Sequence, residues 1–166
     1  MAERPAAMYR NGREPVAHFA PDELLYMRVE PDHVNSRGVP MASAFRLPSQ
    51  SVNRSKYSEP EWVLIPNYQE WGILSFERQD IPEELRSSQP PPDQSAEYRF
   101  AVEHDPRDDN YSHSEIRAYR KGRNEFNERL QVVRTVKQKF RMRLAECATI
   151  LKFPAGANEP AERNAG

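Results

Sequence analysis

The first clear hydrophobic pattern in the chain is an alternation that predicts a β-strand. In LLYMRVE, which begins at Leu24, the odd-numbered residues are apolar and most of the even-numbered ones are polar or aromatic. A period of two residues is typical of a strand with one face in the core. Tyr26 and Arg28 are therefore expected to share the opposite face.

Further short runs predict more strands. EWVLIPNY and WGILSFE are rich in aromatic and β-branched residues, and Pro66 restricts the first to a short or edge strand. SVNRSKY fits an edge strand or a loop, and IPEELRSS is at most a short helix with Pro82 near its start. AEYRFAVEH and YSHSEIRAY both alternate, and the turn-forming DPRDDN between them predicts an antiparallel hairpin.

The last periodic segment predicts an amphipathic helix. Apolar residues recur at spacings of three and four from about Asn124 to Leu151, with Lys137 alone interrupting the stripe. Asn124 is a suitable N-cap, and Pro154 would stop the helix. A helix of ~28 residues spans about 42 Å, which is more than a small sheet needs, so its far half is expected to dock on another molecule.

Together these elements predict an α+β domain over residues 21–152, a small mixed or antiparallel sheet covered by one long C-terminal helix. Residues 1–20 and 153–166 lack periodicity and are expected to be flexible. Hydrophobic residues make up 37% of the 166 residues and charged residues 30%, which predicts a lean core.

The overall charge excludes few classes of binding partner, but the distribution of charge along the chain is informative. With 24 basic and 25 acidic side chains the net charge is −1, whereas residues 123–152 carry eight basic and three acidic residues. This local excess is expected either to be a solvated helix face or to bind an acidic protein or a phosphate backbone. The candidate partner-binding residues are Arg134, Lys137, Lys139, Arg141 and Arg143. The helix stripe permits a homodimer without requiring one.

Cysteine usage and hydropathy indicate the compartment. Cys147 is the single cysteine, so the chain can form neither an internal disulfide nor a cysteine-based zinc site. No run approaches the ~20 apolar residues of a membrane span, and the N-terminus lacks a signal-peptide pattern. We expect a cytoplasmic protein that does not bind membranes.

Candidate chemistry concentrates in NYSHSEIRAY, residues 110–119. As a strand it places His113, Glu115, Arg117 and Tyr119 on one face, where His113 could move protons and Glu115 could orient it or act as a base. The alternative is an exposed strand with cross-strand charge pairs.

Metal and nucleotide motifs are not evident in the sequence. Metal-ligand residue types also cluster at residues 104–113, but their spacing matches no zinc or calcium motif, so we expect neither a metal nor a cofactor. The chain also lacks a glycine-rich phosphate loop and a nucleophile elbow, which argues against P-loop nucleotide hydrolysis.

The order of LLYMRV, MASAF, SVNRSKY and SHSEI resembles that of a group of small uncharacterised bacterial proteins. These share a Leu-Tyr-Arg-type start, a Ser-x-x-Phe element, a Ser-Val-x-Arg element and a late His-x-Glu, and the likeness covers roughly Leu24 to Tyr119. This resemblance suggests a bacterial setting such as antiphage defence and assigns no activity.

The chain also resembles, more distantly, ADP-ribosyltransferase-like proteins, whose first strand often opens with Leu-Tyr and a basic residue and whose late strand carries a catalytic glutamate. This resemblance implies that Arg28 binds a dinucleotide, that Ser51 and Arg54 lie near its nicotinamide, and that Glu115 supports transfer. The chain departs from the pattern because Met27 separates Tyr26 from Arg28, and no middle Ser-Thr-Ser element is evident.

Two hypotheses follow from the sequence. The first is an accessory protein that docks on a larger protein or nucleoprotein assembly through its basic helix. The second is an enzyme acting on a dinucleotide or nucleic acid, with Arg28, Arg54, His113 and Glu115 around one pocket that Tyr26 and Ser51 help to line. The second hypothesis requires that Arg28 and His113 lie on the same side of the sheet.

Overall fold

A computed structural model describes residues 2–87 and 97–157, and its framework is one antiparallel sheet with one α-helix. The strands are β1 Leu24–Val29, β2 Ser49–Arg54, β3 Gly72–Glu77, β4 Glu84–Arg86, β5 Glu97–His104, β6 His113–Arg120 and β7 Thr149–Lys152, and the helix is α1 Arg134–Cys147. The strand order is β4-β5-β6-β2-β1-β3-β7, with every pairing antiparallel. The α+β class is confirmed, and the sheet is larger than predicted.

The strands with the clearest alternation form where the sequence predicts them. β1, β3 and the hairpin of β5 and β6 are confirmed, whereas SVNRSKY contributes a central strand, β2. Two predictions were wrong. Residues Pro60–Leu64 form a 3-10 helix, which Pro60 starts, and IPEELRSS contributes the short strand β4 instead of a helix.

The helix is half the predicted length, because neighbouring contacts hold both of its predicted ends in other conformations. The side-chain oxygen of Asn127 accepts the backbone N–H of Arg129 at 3.0 Å, and Phe126 packs edge to face on Tyr119. After Cys147 the chain becomes extended and adds β7 to the free edge of β3. The predicted helix of residues 124–151 is therefore corrected to Arg134–Cys147.

One face of the sheet carries the main core, and the other carries a smaller hydrophobic cluster around Tyr26 and Ile73. Val136, Phe140 and Leu144 are the buried residues of α1, and Phe140 stacks on Phe100 with ring centroids 4.9 Å apart. Side chains of alternate parity on the strands, including Arg28 and His113, point to the opposite face. Within the described residues no helix is long and apolar enough to span a membrane.

The N-terminal segment, expected to be flexible, packs across the ends of strands β2 and β5 and is held by Arg54. The Arg54 guanidinium donates to the carbonyl oxygens of Val16 (2.5 Å) and His18 (2.6 Å). The N–H of Val16 donates to His104 Nδ1 at 2.9 Å, and His104 Nε2 donates to the carbonyl of Tyr111 at 2.6 Å. Burial, with the nearby charge of Arg54, lowers the pKa of His104 and favours the neutral ring that this arrangement needs.

The C-terminal segment begins with a turn that returns to the sheet. The N–H of Ala155 donates to the carbonyl of Glu70 at 2.8 Å. The rest of the tail that the sequence predicts to be flexible, residues 158–166, lies outside the described residues.

Arg54 forms a bidentate ion pair with Glu23, and breaking this pair should destabilise the fold strongly. Both bonds are 2.8 Å long, and the Arg54 side chain is completely buried. Arg54→Met leaves a buried carboxylate without its partner, so we expect a loss of about 3 to 5 kcal/mol in the free energy of unfolding. Urea titration measures this loss, and adding Glu23→Leu should recover part of it.

The exposed pair of Lys121 and Glu97 is the matched control, and Lys121→Met should leave the urea midpoint unchanged. A midpoint for Arg54→Met equal to that of the wild type would contradict the structural role of Arg54.

Candidate functional site

The sheet opens between its two central strands. β1 and β2 are paired through only two residue pairs, Leu25 with Arg54 and Tyr26 with Asn53, whereas β1 pairs with β3 through six and β2 with β6 through five. Beyond Tyr26 the two strands diverge, and a cleft of about 660 Å³ opens between them. The cleft is therefore a consequence of incomplete strand pairing.

The cleft has an aromatic wall and a polar wall. β1 and the segment before β3 supply the first wall, and β2 with the start of β6 supplies the second. The lining includes Tyr26, Arg28, Trp62, Tyr68 and Trp71 on one side, Ser51, Asn53, Arg107, Asn110 and His113 on the other, and Ala44 and Arg46 from the β1–β2 connection.

Two arginines of the cleft lining, Arg28 and Arg46, have no ion-pair partner among the described residues, although Glu30 and Asp109 also line the cleft. The guanidinium of Arg28 lies 3.8 Å from the ring centroid of Tyr68 and 5.9 Å from that of Trp71. Stacking of this kind leaves the in-plane N–H donors of a guanidinium free. The side chains of Arg28 and Arg46 make no hydrogen bond or ion pair with any residue that the structure describes. Both can therefore receive an anion.

Glu115 is fixed on the polar wall by its neighbours across the sheet. Ser51 lies opposite Glu115 in the β2–β6 register, and its hydroxyl donates to Glu115 Oε1 at 3.2 Å. His113 Nε2 is 3.4 Å from the same oxygen, and His113 Nδ1 bonds to the carbonyl of Asp105 at 2.8 Å. Because the carbonyl can only accept, His113 Nδ1 carries a proton, and its ring orientation is fixed.

The electrostatic surroundings keep Glu115 ionised. Burial raises its pKa, but hydrogen bonds from His113 and Ser51 and the charge of Arg117 outweigh burial and hold the pKa below its ordinary value. Its side chain is also 3.8 Å from the exposed guanidinium of Arg107. At neutral pH Glu115 is thus a carboxylate that can accept a hydrogen bond or stabilise positive charge.

The remaining polar residues of β6 form cross-strand pairs, the alternative that the sequence left open. Arg117 pairs with Glu103 at 2.9 Å and with Asp105 at 3.4 Å. Burial and a hydrogen bond to Glu103 raise the pKa of Tyr119 to about 12. Arg117 and Tyr119 therefore stabilise the sheet.

Asp105, His113 and Glu115 also have the geometry of a potential metal site. Their ligand atoms lie within 4.8 Å of one another. Arg117 is paired with Asp105, and Arg107 approaches Glu115, so two guanidinium groups compete with a metal ion for these carboxylates. The expectation that the protein binds no metal stays a prediction.

The structure brings together most of the site residues named from the sequence. Tyr26, Arg28, Ser51 and His113 line the cleft, and Glu115 contacts Ser51 and His113 at its polar wall. Arg54 is buried at the strand junction and does not line the cleft. The structure therefore gives it a structural role in place of the ligand contact that the sequence led us to expect.

Sequence reasoning missed the aromatic wall and two arginines. Tyr68 and Trp71 sit in a turn between a 3-10 helix and β3, and Arg46 and Arg107 lie in loops. The sequence signal for the aromatic wall is the density of aromatic residues in EWVLIPNYQEW, and the two arginines have no such signal.

The basic residues of α1 lie on the other side of the sheet from the cleft. Arg134, Lys139 and Arg143 are exposed, and Lys137 and Arg141 are partly buried. Lys139 Nζ donates to the carbonyl of Arg86 at 3.4 Å, and Arg143 Nε donates to that of Asp80 at 2.7 Å. Two of the five thus help to fasten the helix to neighbouring segments.

Comparison with known proteins adds no assignment: no family model, curated protein or solved structure matches this chain.

The lowered pKa of Glu115 predicts a pH-dependent contribution to stability. A carboxylate whose pKa is lower in the folded than in the unfolded state stabilises the fold at pH values above its unfolded pKa, here 4.5. This stabilisation is lost as the pH falls through the lower pKa of the folded state. Glu115→Gln should therefore reduce the loss of stability that the wild type shows below pH 4.5. Urea midpoints across this acidic range test it, with Glu128→Gln, an exposed carboxylate outside the cleft lining, as control. If the urea midpoints of the wild type and Glu115→Gln changed in parallel with pH, the stabilising charge assigned to Glu115 would be contradicted.

Proposed function

We propose that the protein is an ADP-ribosyltransferase-like enzyme that binds a dinucleotide in the cleft between β1 and β2. The observation that carries this proposal is that Arg28, Ser51 and His113 line one cavity, with Glu115 held against Ser51 and His113. The distant resemblance of the sequence supplies the ligand class, and the cleft supplies groups suited to it.

The diphosphate of the ligand binds the arginines of the cleft. Arg28 has free in-plane donors, and a guanidinium matches phosphate oxygens in a bidentate geometry. Arg46 lies on the same lining and also lacks a carboxylate partner among the described residues. Together they offset two negative charges, the number carried by a diphosphate bridge.

Glu115 acts at the sugar that carries the leaving base. Nicotinamide leaves with the electron pair of the N-glycosidic bond, and the positive charge left on the sugar is stabilised by a nearby carboxylate until water, or the hydroxyl or amine of a target, bonds to the anomeric carbon and loses a proton. The Ser51 hydroxyl and His113 fix the Glu115 side chain, so the charge is oriented before the ligand arrives. Arg54 takes no part in this chemistry and holds the strand junction.

Nicotinamide release from NAD tests this proposal. Glu115→Gln keeps the size of the side chain and removes its charge, so we expect kcat to fall by about 10²- to 10³-fold. Arg28→Ala removes a phosphate-binding group and should mainly raise KM. Arg129→Ala changes an exposed arginine outside the cleft and should alter neither. No release by the wild type, or equal release by Glu115→Gln, would refute the proposal.

A second candidate function, docking on a larger protein or nucleoprotein assembly, is supported by the basic residues of α1. Within the described residues none of the five forms an ion pair with a carboxylate. Their charge is therefore available to an acidic partner, and a setting such as antiphage defence belongs to this proposal. The helix and the cleft lie on different faces, so the two functions do not compete for one surface.

The docking function predicts that α1 determines recovery of a partner. Arg134→Gln with Lys137→Gln removes two charges without touching the bonds of Lys139 and Arg143, and Arg123→Gln with Arg129→Gln is the control outside the helix. Affinity purification from the native host should recover a stoichiometric partner with the wild type and the control only. For a nucleic-acid partner, the plot of log affinity against log salt should also become shallower by about one for each phosphate that the variant no longer neutralises. Equal recovery with both double variants would exclude this role of α1.

A further inference from the structure

The aromatic wall of the cleft is a fixed structure beside β1. The rings of Tyr68 and Trp71 meet edge to face with centroids 4.8 Å apart. Backbone hydrogen bonds set their positions, because the N–H of Tyr68 donates to Leu64 (2.8 Å) and that of Trp71 donates to Tyr68 (2.9 Å). Both side chains are half-buried, so each is supported from below and still presents surface to the cleft.

This wall lies far from Glu115 across the sheet. The strand order in this region is β6-β2-β1-β3, with Glu115 on β6 and Trp71 immediately before β3. Three strand spacings of about 4.8 Å place the two ends of the cleft roughly 14 Å apart, and the split between β1 and β2 adds to this distance. A ligand that reaches both ends must be extended and must have two chemically different ends.

Arg28 lies between these ends. If the β1–β2 register continued past Tyr26 and Asn53, Arg28 would face Ser51, the residue that bonds Glu115. From the β3 side to the β6 side, the cleft therefore presents aromatic rings first, then the free guanidinium of Arg28, and then a hydroxyl and a carboxylate. In a dinucleotide such as NAD the corresponding order is purine base with its ribose, diphosphate, and the sugar at which the reaction takes place.

We propose that Tyr68 and Trp71, with Arg28 lying on Tyr68, form a base-binding subsite that takes the purine of the bound nucleotide. A flat base stacks on aromatic rings and guanidinium planes, whereas a sugar phosphate does not. This inference rests on the proposed function for the class of ligand. Beyond the proposed function, it specifies the orientation of the ligand in the cleft and names the residues that select for a base.

The chain contains its own probe for this subsite. Its two tryptophans, Trp62 and Trp71, both line the cleft, so intrinsic fluorescence reports on what enters it. The ligands to titrate are AMP and ribose 5-phosphate, which has an anomeric hydroxyl where AMP carries adenine. We expect AMP to produce a saturable change and to bind at least about fivefold more tightly than ribose 5-phosphate, because the base adds a stacking interaction. Equal affinity of the two ligands, or binding of neither, overturns the subsite.

Variants assign the effect to the aromatic wall. Tyr68→Ala should weaken AMP binding at least about fivefold and leave that of ribose 5-phosphate unchanged, whereas Tyr9→Ala, an exposed tyrosine outside the cleft lining, should change neither. Trp71→Phe keeps a ring and should retain AMP binding with a smaller fluorescence change. Unchanged AMP affinity in Tyr68→Ala overturns the inference. The wild-type comparison of the two ligands stands even if this variant unfolds.

Failure of this subsite is distinguishable from failure of the proposed enzyme. Glu115→Gln should lower nicotinamide release by the same factor of about 10² to 10³ and keep AMP binding, because Glu115 lies at the end of the cleft away from Tyr68 and Trp71. If release from NAD depends on Glu115 while AMP binds no better than ribose 5-phosphate, the enzyme stands and the base subsite is wrong. If AMP binds with the selectivity above and NAD is not consumed, the subsite stands and the proposed reaction is wrong.

Discussion

The short junction between β1 and β2 is the constraint on which the rest of the structure depends. The pair Leu25 and Arg54 lies at the end of this ladder, and the Arg54 guanidinium reaches Glu23, just before β1, in a bidentate ion pair. A buried guanidinium without a partner would be strongly unfavourable, so this ion pair keeps the strands together at one end. Past Asn53 no ladder pair joins the two strands, and they separate. A sheet joined at one end and open at the other contains a cleft.

The opening does not collapse because packed side chains fill the core side of it. The chain between β1 and β2 passes beneath the split, where Phe45 is completely buried and meets Phe76 edge to face at 6.1 Å. The short 3-10 helix Ala42–Ala44 packs against α1, so the helix supports the base of the cleft from behind. Helix α1 thus has a structural role in supporting the cleft, in addition to any role in docking. Close-packed protein interiors resist deformation, and this favours a cleft that is already formed before a ligand binds.

The sequence predicted those parts of the fold that local patterns decide. The alternation in β1, β5 and β6 placed Arg28, His113 and Glu115 on faces correctly, because a period of two has only one solution in a half-buried strand. The helix start was wrong because Asn127 caps a turn and Phe126 packs on Tyr119, and neither contact can be read from periodicity. The Arg54 ligand role failed for a related reason. A buried arginine and a ligand-binding arginine look alike until the partner, here Glu23, is brought beside one of them. The aromatic wall was missed because Tyr68 and Trp71 occupy a turn, where no pattern reports which face a side chain takes.

Net charge is a poor guide to this cleft, and the reason lies in how the acidic residues are paired. Glu23 pairs with Arg54, Glu103 and Asp105 share Arg117, and Asp109 pairs with Arg4. These pairs leave the guanidinium groups of Arg28 and Arg46 without carboxylates among the described residues, in a chain whose formal charge is −1. Coulomb interactions are short-ranged at physiological ionic strength, with a Debye length of about 8 Å, so a ligand in the cleft responds mainly to the charges of its lining, which include Arg28 and Arg46 and also the carboxylates of Glu30 and Asp109. The affinity of such a site for an anion is therefore determined by which cations lack partners locally, and this requires the fold to be known.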